Sequence, residues 1–167
     1  MSLLPQQLKS VKAIIFDWGG VFVDAETKER YPEGKEVLAY CKAKGYRLGL
    51  VVIASKFEER KKQIEESDLR EFFEIFLIGP LTPEQIWDPT FKGKDDLYDQ
   101  IIQYFHLPPH EVLIIDDRVV RGIRYANTHG HPCIWIHKGK FAHELPNEAT
   151  GEPTITVQSL KDVMDFL

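Results

Sequence analysis

A chain of 167 residues with 43% hydrophobic and 28% charged side chains suits one compact unit, and lies outside the disordered and collagen-like classes. Its 21 lysines and arginines stand against 26 aspartates and glutamates, a net charge of −5, which offers no overall footprint for nucleic acid. No apolar run is long enough for a membrane-spanning helix, and the opening MSLLPQQLKS lacks the basic-then-apolar pattern of a secretory signal. A cytoplasmic location is therefore expected.

In chain order, short β-branched runs alternate with helical stretches. Residues 11–16 (VKAIIF) form a continuous apolar run ending at Asp17, as a strand buried on both faces reads. Residues 35–44 read as a helix stopped by Gly45, and residues 46–54 (YRLGLVVIA) as a second strand ending at Ser55. One or two helices follow over 57–66 and 68–73, then a third strand over 74–78. Residues 95–105 place Leu97, Ile101, Ile102 and Phe105 on one helical face. Residues 111–115 (EVLII) form a fourth strand running into Asp116 and Asp117. A helix over 119–127, a fifth strand over 132–136 and a short helix over 160–167 complete the series. Two Pro-containing stretches, 79–90 and 137–153, are long for connections and read equally as functional loops or as packed covers. Cys41 and Cys133 stand far apart with no CxxC and are expected to be buried reduced thiols.

This alternation implies parallel βαβ units, hence an α/β doubly wound three-layer sandwich with a mostly parallel, Rossmann-like sheet. The chain is expected to be a single domain, its core spanning about 11–136. Ligands bind beyond the carboxyl ends of strands in such sheets. The residues there are Asp17, Ser55, Asp116 and Asp117, with Lys92 or Lys94 ahead of the helix before the fourth strand. Each alone reads as a helix cap or turn residue. Their joint order is far more specific.

With these motifs, IIFDWGGVFVD, VVIAS, FKGKDDLY and VLIIDD, the chain resembles the haloacid dehalogenase (HAD) superfamily over roughly residues 11–136. The resemblance implies Asp17 as a covalent nucleophile, with Mg²⁺ held by Asp17, the Gly19 carbonyl, Asp116 and Asp117. Ser55 would then contact the transferring group, a lysine would neutralise its charge, and Arg118 would orient Asp117 or meet an anionic substrate. Hard-cation and phosphoryl-transfer chemistry both suit that set. Family members with a Lys-Pro motif place this lysine where Lys92 stands and other, capless members where Lys94 stands, and Lys92 is slightly favoured. The implied substrates are phosphorylated small molecules or larger phospho-substrates.

One position departs from the pattern. The family's phosphatases carry a second Asp two residues after the nucleophile as general acid and base, and here that place is Gly19. Some family members with an Asp-x-Gly form resemble working sugar-phosphatases. Dehalogenases and phosphonoacetaldehyde hydrolases also lack this Asp, and a chain that binds without turnover is the further alternative. The 37 residues between Asp17 and Ser55 leave no room for a helical cap, which ranks dehalogenation low. Asp24 reads as a turn residue rather than a replacement acid. The spacing of His129, His131, His137 and His143 fits no zinc pattern, whereas His137 or Lys138 suits a substrate contact. Arg121 and Arg124 read as a solvated helix face. Trp18 and Trp87 read as core, or as walls of the site.

Overall fold

Continuous apolar runs become strands buried on both faces. In the computed structural model, which describes residues 5–167, they form one parallel sheet of six strands. Met1 to Leu4, the start of the segment weighed as a signal, lie outside the described residues. The strands are Ala13–Phe16 (β1), Arg47–Ala54 (β2), Ile75–Pro80 (β3), Val112–Asp116 (β4), Cys133–Ile136 (β5) and Ile155–Val157 (β6), in spatial order β3-β2-β1-β4-β5-β6. β1 is central, with Phe16 beside Leu50 of β2 on one flank and Ile115 of β4 on the other. The chain leaves β1 toward β2 and later returns to its opposite side, so the carboxyl end of β1 is the topological switch point.

The period of two along each strand divides the core into two halves. Ile14, Phe16, Leu113 and Ile115 pack with Val37, Leu38 and Cys41 of helix α1 (Gly34–Ala43) and with Leu160 and Val163 of the C-terminal 3₁₀ helix Leu160–Phe166. Ala13, Ile15, Val112 and Ile114 pack on the other face, which helices α4 (Asp95–Phe105) and α5 (Arg124–His129) cover. Helix α2 (Phe57–Glu65) contributes Ile64 to the first half. A short α3 (Pro83–Ile86) starts at a capping box between Thr82 and Gln85. Helix α4 (Asp95–Phe105) buries Tyr98, Ile101 and Phe105. Cys41 and Cys133 are free, buried, and in opposite halves. Among the described residues no helix is long and apolar enough to cross a membrane.

Three local features depart from the sequence reading. β6 was not expected, because three residues carry too little periodicity to register. The helix expected over 119–127 begins as a π-helical turn, Val119–Ile123, and becomes α5 only over Arg124–His129. The stretch 79–90 is partly regular, since β3 extends to Pro80 and α3 follows. Between β1 and β2 the chain has room for α1 and a turn-rich loop, with no cap inserted.

Candidate active site

Asp17 directly follows β1, and its N–H donates to the Ile115 carbonyl at 3.2 Å, carrying the strand ladder one residue further. Asp116 ends β4 beside it and Asp117 follows. Carboxylate oxygens from these three residues lie within 4.8 Å of one another. Lys94, at the start of α4 and 2% exposed, places Nζ 3.4 Å from Asp17 Oδ1 and 3.1 Å from Asp116 Oδ2.

The three carboxylates are not equivalent. Asp116 accepts from the N–H groups of Asp117, Arg118 and Gly122, from Lys94 Nζ, and from Tyr98 Oη at 3.4 Å. Five donors on two oxygens use up its acceptor capacity, which makes it the hub that locks the site. The π-helical turn serves this hub, because it brings the Gly122 N–H to 2.8 Å from Asp116 Oδ2. A β-carbon at Gly122 would lie 2.5 Å from that oxygen. Asp117 differs: its Oδ2 is buried and has no hydrogen-bond partner. Gly20, at φ +78°, makes room for it, since a β-carbon there would sit 1.9 Å from Asp117 Oδ2.

Charge follows this geometry. Burial pushes Asp17 up to about 7, with Lys94 opposing and Asp116 reinforcing the rise. Burial and the neighbouring charges of Asp116 and Asp17 hold Asp117 well above the usual carboxylate range. Burial would raise Asp116 too, but Lys94 and the converging donors bring it down to about 2. Burial works against the Lys94 ammonium, yet Asp116 and Asp17 outweigh it and hold it well above its ordinary value. Three close carboxylates share one lysine, so there is more carboxylate than one lysine balances, and without a cation Asp17 and Asp117 relieve the surplus by holding protons more tightly.

These groups open onto a cavity of about 540 Å³ lined by Asp17, Gly19, Ser55, Lys94, Asp117 and Arg118 among others. Ser55 stands at the end of β2 on its wall, where the sequence put it. Lys92 does not join the site: it is exposed in the turn before α4, while Lys94 lies one helical turn before Tyr98 on the buried face. Arg118 reaches the cavity, but its guanidinium is engaged, pairing with Glu144 at 2.6 Å and donating to the Ile86 carbonyl at 2.7 Å. Arg121 and Arg124 are buried rather than solvated. Arg124 pairs with Asp95 at 2.6 Å, and Arg121 donates to the carbonyls of Gln85, Asp88 and Phe91 at 2.9 Å each. The arginines after the acidic pair thus stitch both irregular stretches onto the site. Replacing Arg121 with Met is expected to speed amide exchange over residues 82–91 by roughly tenfold or more, since hydrogen bonds from a charged donor contribute about 1.5–3 kcal/mol. Hydrogen–deuterium exchange checks this.

Asp24 accepts from the Glu26 and Thr27 N–H groups at 2.8 Å, which lowers its pKa and makes it a turn-forming carboxylate rather than an acid. His129, His131 and His137 each pair with a backbone carbonyl. Trp18 is fully buried against Phe22. Trp87, half exposed, packs 5.1 Å from Phe141, whose side chain lines the cavity. Sequence reasoning missed Tyr98, although its helical phase with Lys94, Ile101 and Phe105 marks it as facing the sheet.

The HAD-hydrolase-like family model matches residues 92–163. A glyceraldehyde 3-phosphate phosphatase of Pyrococcus furiosus is 24% identical over 152 residues, covering 89% of this chain; the chain spans 60% of that protein's length. Among solved structures, a D,D-heptose 1,7-bisphosphate phosphatase from B. bronchiseptica, complexed with magnesium and phosphate, superimposes with a TM-score of 0.73 at 17% identity, covering 93% of this chain and 97% of that one. A haloacid dehalogenase-like family hydrolase from Streptococcus pneumoniae gives 0.68 at 16% identity, covering 95% and 99%. At these identities the structural likeness is one of fold. Together with the family-model match, which covers less than half of the chain, it shows a haloacid dehalogenase-like fold without a cap.

Proposed function

We propose that this protein is a Mg²⁺-dependent phosphohydrolase acting through an aspartyl-phosphate on Asp17. The observation that carries the reading is the buried, unpartnered Oδ2 of Asp117 beside Asp17, in a cluster with more carboxylates than one lysine balances. An oxygen-only donor set with surplus carboxylate charge fits a hard divalent cation. Asp17, Asp117 and the Gly19 carbonyl would hold it, with Asp116 acting chiefly as the hub behind them. When bound, Mg²⁺ supplies positive charge to the phosphoryl oxygens and to the carboxylates around them.

In this scheme Asp17 attacks phosphorus, forming an Oδ–P bond as the bond to the leaving oxygen breaks. Water then attacks phosphorus, which releases inorganic phosphate and restores the carboxylate. Lys94 holds Asp17 ionised and in place, and the Ser55 hydroxyl donates to the transferring group. Gly19 carries no acid, so the leaving oxygen takes its proton from water in the open cavity. The relatives named for glyceraldehyde 3-phosphate and heptose bisphosphate support a small phosphorylated substrate. Gly19 also favours a second reading, a site that binds phosphate but turns it over slowly.

Phosphate release from a panel of phosphoesters with Mg²⁺, set against the Asp17→Asn protein, tests the first reading. Release no faster than the control, with beryllofluoride still binding, would establish the second. The metal is tested separately through stability. An acid held above its ordinary value contributes full stability below its unfolded pKa, near 4, and loses it as pH rises through about 7 for Asp17. The midpoint of thermal unfolding in EDTA is therefore expected to fall between pH 6 and pH 8. The increment from Mg²⁺ is expected to grow over the same window, because protons and metal compete for the same oxygens. Differential scanning fluorimetry reads both; an Mg²⁺ increment independent of pH would count against metal binding by Asp17.

A further inference from the structure

The chain is acidic overall, yet the cavity wall is basic: seven Lys and Arg side chains line it against four Asp and Glu. Three of the seven are already committed. Lys94 is held by Asp17 and Asp116, Arg118 by Glu144, and Arg121 by backbone carbonyls. The seventh, Lys56, is exposed to solvent, and the remaining three, Lys28, Arg60 and Lys140, are not committed. They come from three separate segments, namely the loop after β1, helix α2 and the stretch after β5, and they converge on one cavity.

Their own partners are weak or neutral. Lys28 Nζ donates to the Ala25 carbonyl at 2.5 Å, and Arg60 donates to the Gln63 side-chain carbonyl. Lys140 Nζ lies 3.5 Å from Glu26, which is itself 71% exposed. Among the described residues neither Lys28 nor Arg60 forms an ion pair, and Glu59 is the other acid on this part of the wall. Burial lowers the Lys28 ammonium from its ordinary value, and the positive charges of Arg60 and Lys140 lower it further against Glu26 and Asp24, so Lys28 feels both other cations, while Arg60 faces Asp17 and Glu59. Holding like charges together in a partly desolvated wall is unfavourable unless an anion is shared between them.

We propose that Lys28, Arg60 and Lys140 form a second anion subsite, so that the preferred ligand is a small phosphomonoester carrying a further phosphate or carboxylate. The phosphoryl group to be transferred faces Asp17, and the second anion occupies the basic wall. This rests on the phosphohydrolase reading only for which end faces Asp17; the subsite itself is a matter of binding.

The test uses the full-length Asp17→Asn protein with Mg²⁺, so that binding is read without turnover. Titration calorimetry compares glucose 6-phosphate with glucose 1,6-bisphosphate, and glycerol 3-phosphate with 3-phosphoglycerate. Partly exposed ion pairs each contribute a factor of a few, so the doubly anionic member is expected to bind roughly tenfold tighter. A gain in the first pair alone assigns a second phosphate, and a gain in the second pair alone assigns a carboxylate. Placing Lys140→Gln, and separately Arg60→Gln, in that background is expected to shrink the preference ratio several-fold. Equal binding within both pairs overturns the subsite, whatever the variants do, and so does a ratio untouched by both substitutions. Phosphate release by the unsubstituted protein without any such preference would leave the hydrolase reading standing and the subsite fallen. Preference without release would do the reverse.

Discussion

Replacing Gly19 with Asp is expected to raise phosphatase turnover by about 10²–10⁴-fold, the range a positioned general acid and base contributes. The backbone permits it. A β-carbon at Gly19 would meet nothing within 4 Å, and its φ is not positive, in contrast to Gly20 next door. The position lines the same cavity as Asp17. An acid there protonates the departing oxygen, so the gain should be largest for alkyl phosphates, whose leaving alkoxide needs a proton. It should be small for nitrophenyl phosphate, whose phenolate leaves unaided. The ratio of kcat/KM for the two substrates therefore reports the mechanism more directly than either rate. A fourth carboxylate also adds repulsion to a cluster that one lysine already fails to balance, so Gly19→Asp should melt lower than the parent in EDTA and recover with Mg²⁺. A variant that folds, binds Mg²⁺ and gains nothing on alkyl phosphates would show that protonation of the leaving group is not what limits this site.

The parts of the molecule that could be read from residues alone share a physical reason. Strands buried on both faces have no polar alternation to obscure them, so β1, β2 and β4 stand out as apolar runs, and the residues that follow them mark the carboxyl end of the sheet. Asp17, Ser55, Asp116 and Asp117 were legible for that reason. Lys94 was legible only as one of two, because spacing from the acidic pair was weighed ahead of helical phase. Counting back from Phe105 through Ile101 and Tyr98 reaches Lys94 on the sheet-facing side of α4, and leaves Lys92 outside the helix in solvent. Arg121 and Arg124 failed for the opposite reason. Charged residues three apart ordinarily mark a solvated face, but here residues 81–91 and the start of α4 fold back over them, and no local pattern announces a loop that returns. The unequal roles of Asp116 and Asp117 are likewise invisible in the dipeptide, since they depend on five donors drawn from three parts of the chain.

That inequality predicts opposite effects of two substitutions on stability in the absence of metal. Lys94→Met removes the cation shared by Asp17 and Asp116, and breaking a buried pair in this way typically costs about 3–5 kcal/mol. For a chain of this size each kcal/mol moves the melting temperature by about 2–4 °C, so a drop of roughly 10 °C is expected at pH 8 in EDTA. The drop should be smaller at pH 5, where Asp17, which titrates near 7, can take up a proton instead of facing Asp116 as a second charge. Asp117→Asn acts the other way. Its carboxylate has an unpartnered oxygen and is repelled by Asp116 and Asp17, whereas an amide removes the charge and can donate toward them. Its melting temperature in EDTA at pH 8 should therefore rise above the parent's, while the increment from Mg²⁺ disappears. Both proteins should lose phosphatase activity, so activity alone cannot separate the two roles and the thermal shift can. A fall in the metal-free melting temperature of Asp117→Asn would mean that Asp117 is held by favourable contacts rather than poised for a cation. The surplus of carboxylates from which the metal site is argued would then have no structural basis.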